Sequence, residues 1–106
     1  MKKTIAIIGG SQEITYRKIA KKYGCDLKFH NGKSRNGGNK KEFKNVIKKA
    51  DCVCVQLGAI GHVATEMVRD LCKEMDIELV FHNGFGASGA VQLCVEKLSE
   101  AQKVAA

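Results

Sequence analysis

Cys52-Val53-Cys54-Val55 is an almost unbroken apolar run, entered through Ala50-Asp51 and left through Leu57-Gly58-Ala59-Ile60-Gly61. A half-exposed strand alternates apolar with polar residues, whereas a strand apolar at every position is covered on both faces. In a short chain, two-sided cover means helices above and below a parallel sheet.

The flanking sequence repeats that logic. Upstream, Thr4-Ile5-Ala6-Ile7-Ile8 is a β-rich run closed by Gly9-Gly10, and Ser11 offers a side-chain oxygen as a helix N-cap. From Gln12 to Tyr23 the apolar residues Tyr16, Ile19, Ala20 and Tyr23 follow a helical spacing that Gly24 ends. Asp26 to Phe29 reads as a second strand, followed by His30-Asn31-Gly32. A glycine-rich basic loop, Lys33 to Asn39, has no periodicity and is expected to be mobile. After it Phe43, Val46, Ile47 and Ala50 share one helix face. Downstream of the central run, Val63, Met67, Leu71 and Met75 mark a third helix, and Ile77 to Phe81 a fourth strand followed by His82-Asn83-Gly84. A last helix from about Ser88 buries Val91, Cys94, Val95 and Leu98, then frays into a polar and alanine tail.

Four β-α units in succession predict one α/β domain over residues 1–106: a three-layer, flavodoxin/Rossmann-like fold. Its four-stranded parallel sheet has the order 2-1-3-4 with helices on both faces. The fourth strand is then an edge that a homodimer could cover.

Composition narrows the classes. No apolar run approaches the roughly 20 residues that span a bilayer. Met1-Lys2-Lys3 imitates the start of a signal peptide, but the apolar run after it stops at Gly9, so a cytoplasmic location is expected. Five cysteines with no C-x-x-C pair read as small buried hydrophobes in a reducing compartment. The formal charge is +7, and seven cations, from Lys33 to Lys49, crowd the segment after the second strand. That patch suits a solvated helix face or a nucleic-acid or anion partner, although no aromatic residues interleave it for base stacking.

One internal repeat stands out. Leu27-Lys28-Phe29-His30-Asn31-Gly32 and Leu79-Val80-Phe81-His82-Asn83-Gly84 share the frame Leu-x-Phe-His-Asn-Gly. Each copy puts a histidine at the carboxyl end of a strand before a turn that favours positive φ, leaving the ring exposed on the rim. His62, opening the third helix, falls on the same rim. Ligands of open parallel sheets bind there, near the switch between strands 1 and 3. Gly9, Gly10 and Ser11 lie at that switch, where bare backbone could receive a flat ligand or an anion. There is no full dinucleotide or phosphate-loop pattern.

Strands 2 and 4 are three spacings apart, roughly 14 Å at about 4.8 Å each, too far for His30 and His82 to share a tetrahedral zinc. The span is close to the reach of two imidazoles on opposite sides of one iron, about 12–13 Å between Cα atoms. A haem over the glycines is therefore expected, with Arg17, Lys33 or Arg35 near its propionates. A ligand pair contributed across a dimer interface would serve equally well.

Several short motifs carry a family likeness. Gly9-Gly10, His30-x-Gly32, Ala50-Asp51, Gly61-His62 and Cys72-Lys73 resemble the bacterial domain-of-unknown-function family 2325 over nearly the whole chain. The resemblance implies b-type haem bound through histidine, as in some members, with His30, His62 and His82 as axial-ligand candidates. It also implies a link to iron- or haem-dependent regulation. The chain departs from the family pattern at Lys33, Gly61 and His82, which leaves both His62 and His82 open as the partner of His30. The expected function is a non-enzymatic haem-binding sensor, carrier or regulator with His82 and His30 as iron ligands. The alternatives are a small anion- or nucleotide-binding module using Gly9, Gly10, Ser11 and Arg17, and a basic nucleic-acid-binding regulator. An enzyme using histidine as acid or base ranks below these, because no nucleophile–base pair stands at a telling spacing.

Overall fold

The computed structural model describes residues 3–31, 40–58, 60–83 and 87–105. The basic loop with Lys33 and Arg35, and both Asn-Gly glycines, Gly32 and Gly84, lie outside them. Eight elements alternate: β1 (Lys3–Ile8), α1 (Glu13–Lys22), β2 (Cys25–His30), α2 (Lys40–Ile47), β3 (Cys52–Gln56), α3 (His62–Met75), β4 (Glu78–His82) and α4 (Ala87–Ala105). The sheet is parallel throughout, in the order β2-β1-β3-β4.

Two apolar layers sandwich it. Ile5, Ile7, Leu27, Cys52 and Cys54 face α1 and α4, meeting Tyr16, Ala20, Val91 and Cys94. Ala6, Ile8, Val53 and Val55 face α2 and α3, meeting Phe43, Ile47, Val68 and Leu71. Each large side chain so buried contributes on the order of 1.5–3 kcal/mol, which is why the two inner strands anchor the fold. All five residues of β3 are buried, as the apolar run requires of a doubly covered strand. Asp51 pins its start: the Thr4 backbone N–H donates to Asp51 Oδ2 at 2.7 Å, and the Asp51 N–H to the Thr4 carbonyl at 2.7 Å.

Local expectations needed correction. Gln12, not Ser11, is the N-cap of α1, and it makes no side-chain capping bond. Tyr23 is not on the apolar stripe; it caps the C-terminus of α1 and is 49% exposed. Val63, in the first turn of α3, is 62% exposed rather than on the buried stripe. Helix α4 does not fray after Leu98 but runs to Ala105, because Ser-Glu-Ala-Gln-Lys-Val-Ala is mostly built of good helix formers. Finally, β2 and β4 each extend one residue further than expected. His30 and His82 are therefore strand residues, and the pleat rather than a turn decides where each ring points.

Candidate functional site

Register across the carboxyl edge decides the site. Ile8 pairs with both His30 and Val55, and Val55 pairs with Phe81. His82 pairs instead with Gln56, one step further on. Successive residues of a strand face opposite sides, so this one-step offset sends the two histidines to opposite faces.

His30 shares the α2/α3 face with Ile8 and Val55. Its ring packs edge-on to Phe43 at 4.6 Å, and its Nε2 lies 3.1 Å from Glu42 Oε2. Only 13% of its side chain is exposed. His82 sits on the α1/α4 face and is half-buried. The rings are thus less exposed than the turn reading implied, and this fold does not aim them across a common floor. His62 projects outward, 88% exposed, 3.2 Å from Glu66 one helical turn along.

The surroundings of His82 form a buried polar network. Gln56 is fully buried. Its Nε2 donates to the Gly9 carbonyl at 3.2 Å and to the Tyr16 hydroxyl at 2.5 Å, while its Oε1 lies 3.3 Å from His82 Nδ1. The Gly9 carbonyl can only accept, so it fixes which end of the amide faces it. Oε1 must then accept from His82, and Nδ1 carries the proton. In the neutral ring, Nε2 is then the nitrogen that carries the lone pair. That nitrogen abuts Gly89 in the first turns of α4: a Cβ there would stand 2.5 Å from it. Beside it opens a groove of about 270 Å³ lined by His82, Gly89, Gln92, Leu93 and Glu96.

The anion set does not assemble. Gly9 and Gly10 have φ of 108° and 107°, a conformation suited to glycine, and a Cβ on Gly10 would strike the Tyr16 hydroxyl. The Gly9 N–H is already donated to the His30 carbonyl at 2.8 Å, so this turn packs against Tyr16 and ties β1 to β2. Ser11 is exposed. Arg17 reaches away from the rim: it bonds Glu13 through Nε and Nη2, and its Nη1 donates to the Leu27 carbonyl at 3.1 Å. It lines a depression of about 220 Å³ with Gly24 and Cys25, towards the amino end of β2.

The thiols are buried chemistry. Hydrogen bonding to Cys52 and Cys54, together with burial, pushes the Cys94 thiol far up. Burial and the neighbouring Cys52 raise Cys72 to about 11. Cys25 is raised by burial, then by Asp26 and Asp51. All five cysteines are unpaired. Among the described residues, no three His, Cys, Asp or Glu are grouped to hold a metal ion, and no helix is long and apolar enough to cross a membrane.

Sequence reasoning missed Gln56, Tyr16 and Gly89. A polar residue closing a buried apolar strand, Cys-Val-Cys-Val-Gln, was the available signal for Gln56. Tyr16 was hidden in an apolar stripe, and Gly89 gave no local cue.

Comparison with known proteins supports the architecture and a family. A de novo designed Rossmann fold protein superposes with a TM-score of 0.59 at 13% identity, covering 92% of this chain and 97% of that one. N5-carboxyaminoimidazole synthetase from Staphylococcus aureus matches with a TM-score of 0.53 at 18% identity, over 74% of this chain but 24% of that one. At such identities only the fold is shared. A UPF0751 protein of Bacillus cereus strain AH820 is 44% identical over 92% of this chain and 98% of its own. Another, from Desulfitobacterium hafniense strain Y51, is 33% identical over 90% and 95%. The family model described as an uncharacterized protein conserved in bacteria matches residues 4–98, and the chain belongs to that family, DUF2325.

Proposed function

We propose that the protein binds b-type haem at its carboxyl edge as a non-enzymatic sensor, carrier or regulator, with His82 as the iron ligand. One observation carries this reading: the Gln56 side-chain carbonyl sits against His82 Nδ1, so that in the neutral ring Nε2 keeps its lone pair beside the groove at Gly89. A carbonyl partner on the far ring nitrogen is the usual support of a metal-ligating histidine, fixing its tautomer and raising its basicity. With no Cβ at Gly89, the His82 ring lies close against α4 at the wall of the groove. The opposed faces of His30 and His82 speak against one chain supplying both ligands, so the second comes from the His82 of another copy. Strand β4 is a sheet edge, the side from which that approach would come. Ligation by two histidines closes the iron to other ligands, which suits sensing, transfer or electron exchange. The five free thiols fit a reducing, cytoplasmic setting.

Hemin titration tests the reading. The expected result is a sharp Soret band of a six-coordinate species, saturating at two chains per haem, abolished by His82→Ala and retained in His30→Ala. An unchanged spectrum in His82→Ala would overturn it.

A further inference from the structure

Charge is divided by the sheet into two ends. Residues 1–50 hold 14 of the 18 Lys and Arg against three of the 11 acids, a formal +11. Residues 51–106 hold four and eight, a formal −4. The strand order places β1, α1, β2 and α2 at one end of the molecule and β3, α3, β4 and α4 at the other. For the charged residues within the described parts of these elements, the segregation in sequence is therefore a segregation in space.

At the basic end, β2 is the edge strand, with α1 packed on one face and α2 on the other. Lys18 and Lys22 lie one turn apart on the exposed side of α1. Lys41 and Lys44 lie one turn apart on the exposed side of α2, and Lys48 follows, exposed, in the turn after it. None of these five makes an ion pair among the described residues, whereas Glu13 is engaged by Arg17 and Glu42 by His30. The acids of this end are therefore largely occupied elsewhere, and the lysines stay uncompensated. Five exposed, unpaired ammonium groups on and beside two helices flanking one edge make a positive field that attracts a polyanion.

The edge itself is partly blocked to another strand. His30 turns its carbonyl to Gly9 on the β1 side, so by alternation Leu27 turns its carbonyl outward, and there Arg17 caps it. A charged side chain on a free edge carbonyl is how natural sheets refuse strand addition. With its edge blocked at Leu27 and its helices basic, this end suits a partner that binds through charge.

We propose that the α1–β2–α2 edge docks the phosphate backbone of duplex nucleic acid, without reading sequence. The lysines supply point charges for phosphates. Tyr16 and Phe43 are buried in the core and Tyr23, at the end of α1, is half-exposed; a single accessible ring makes no stacking platform along a strand, which leaves backbone contact as the mode. This docking is independent of the haem reading, since His82 and its groove lie at the other end of the sheet.

The test is fluorescence anisotropy of the full chain with labelled duplexes of unrelated sequence across a salt series. About four phosphate contacts give a log–log salt slope of about −3 to −4. Lys18→Ala with Lys22→Ala, or Lys41→Ala with Lys44→Ala, each lowers that slope by about two, equally for all sequences. Lys73→Ala, at the acidic end, leaves it unchanged. All these positions are exposed, and circular dichroism confirms that the variants fold. The proposal is overturned if both lysine pairs can be removed with affinity and slope intact. It is also overturned if phosphatidylglycerol vesicles are bound through the same lysines more tightly than any duplex.

Discussion

At the end of β2, His30 leans on Phe43 and faces Glu42, a carboxylate that is 57% exposed. At the end of β4, His82 is held by Gln56, a fully buried amide that also ties Gly9 and Tyr16. The two places carry the same six-residue frame, Leu-x-Phe-His-Asn-Gly, yet one ends against a half-exposed carboxylate and the other in a buried network. The cause is register. Phe81, not His82, stands in the row of His30, Ile8 and Val55. A repeated local pattern fixes a turn, but the pairing offset across the sheet chooses the face on which its side chain acts.

The largest test of this contrast is Gln56→Leu. It strands the Gly9 carbonyl, the Tyr16 hydroxyl and His82 Nδ1, and stability should fall by about 2–4 kcal/mol, read from urea unfolding. On the haem reading, hemin affinity should fall with it by about 10–100-fold. A loss under about 1 kcal/mol would mean that the β4 end is no more tightly built than the β2 end. Gly89→Ala comes next. The added methyl meets His82 Nε2, so an overpacking cost of about 1–3 kcal/mol is expected, with hemin binding lost through the same contact. Full stability together with full binding in this variant would place the ligating nitrogen elsewhere.

Much of this architecture was legible because both core layers are written as periodic apolar residues. Ile5 and Ile7 alternate with Ala6 and Ile8, and the Cys52–Val55 run marks the doubly covered strand. Strand order followed from β-α alternation. The site was legible only as a rim. The residues that complete it at the β4 end, Tyr16 on α1, Gln56 on β3 and Gly89 on α4, are distant in sequence and are joined by hydrogen bonding and close approach rather than by any period. Arg17 shows the converse. It lies six residues after Ser11, yet Glu13 and the Leu27 carbonyl draw its guanidinium away from the glycine turn.

The thiols give a pH test of the two faces. Cys94 lies on the His82 side and Cys72 on the His30 side, and both have thiol pKa values raised in the folded state. A raised folded pKa means that the unfolded chain ionises first. The stability these neutral thiols contribute is fully present below about 9 and is lost as pH rises. For Cys72 the loss runs from 9.0 to about 11. The urea midpoint should therefore decline through this window, and Cys72→Ala, starting lower, should decline less steeply. Parallel declines in the two proteins would remove Cys72 as a cause.

The smallest effect belongs to the β2 end. Glu42→Gln removes the charge facing His30 but keeps a hydrogen-bonding group of the same length, and the ring's contact with Phe43 is untouched. Because the carboxylate is more than half exposed, water already screens the pair, and the expected cost is about 0.2–1 kcal/mol, smaller still at high salt. Measured beside Gln56→Leu in the same unfolding assay, it sets the scale of the comparison. If the two losses matched, a register offset would not be enough to explain why one copy of the frame is locked and the other is not. Some further constraint on His30 would then have to hold the β2 end.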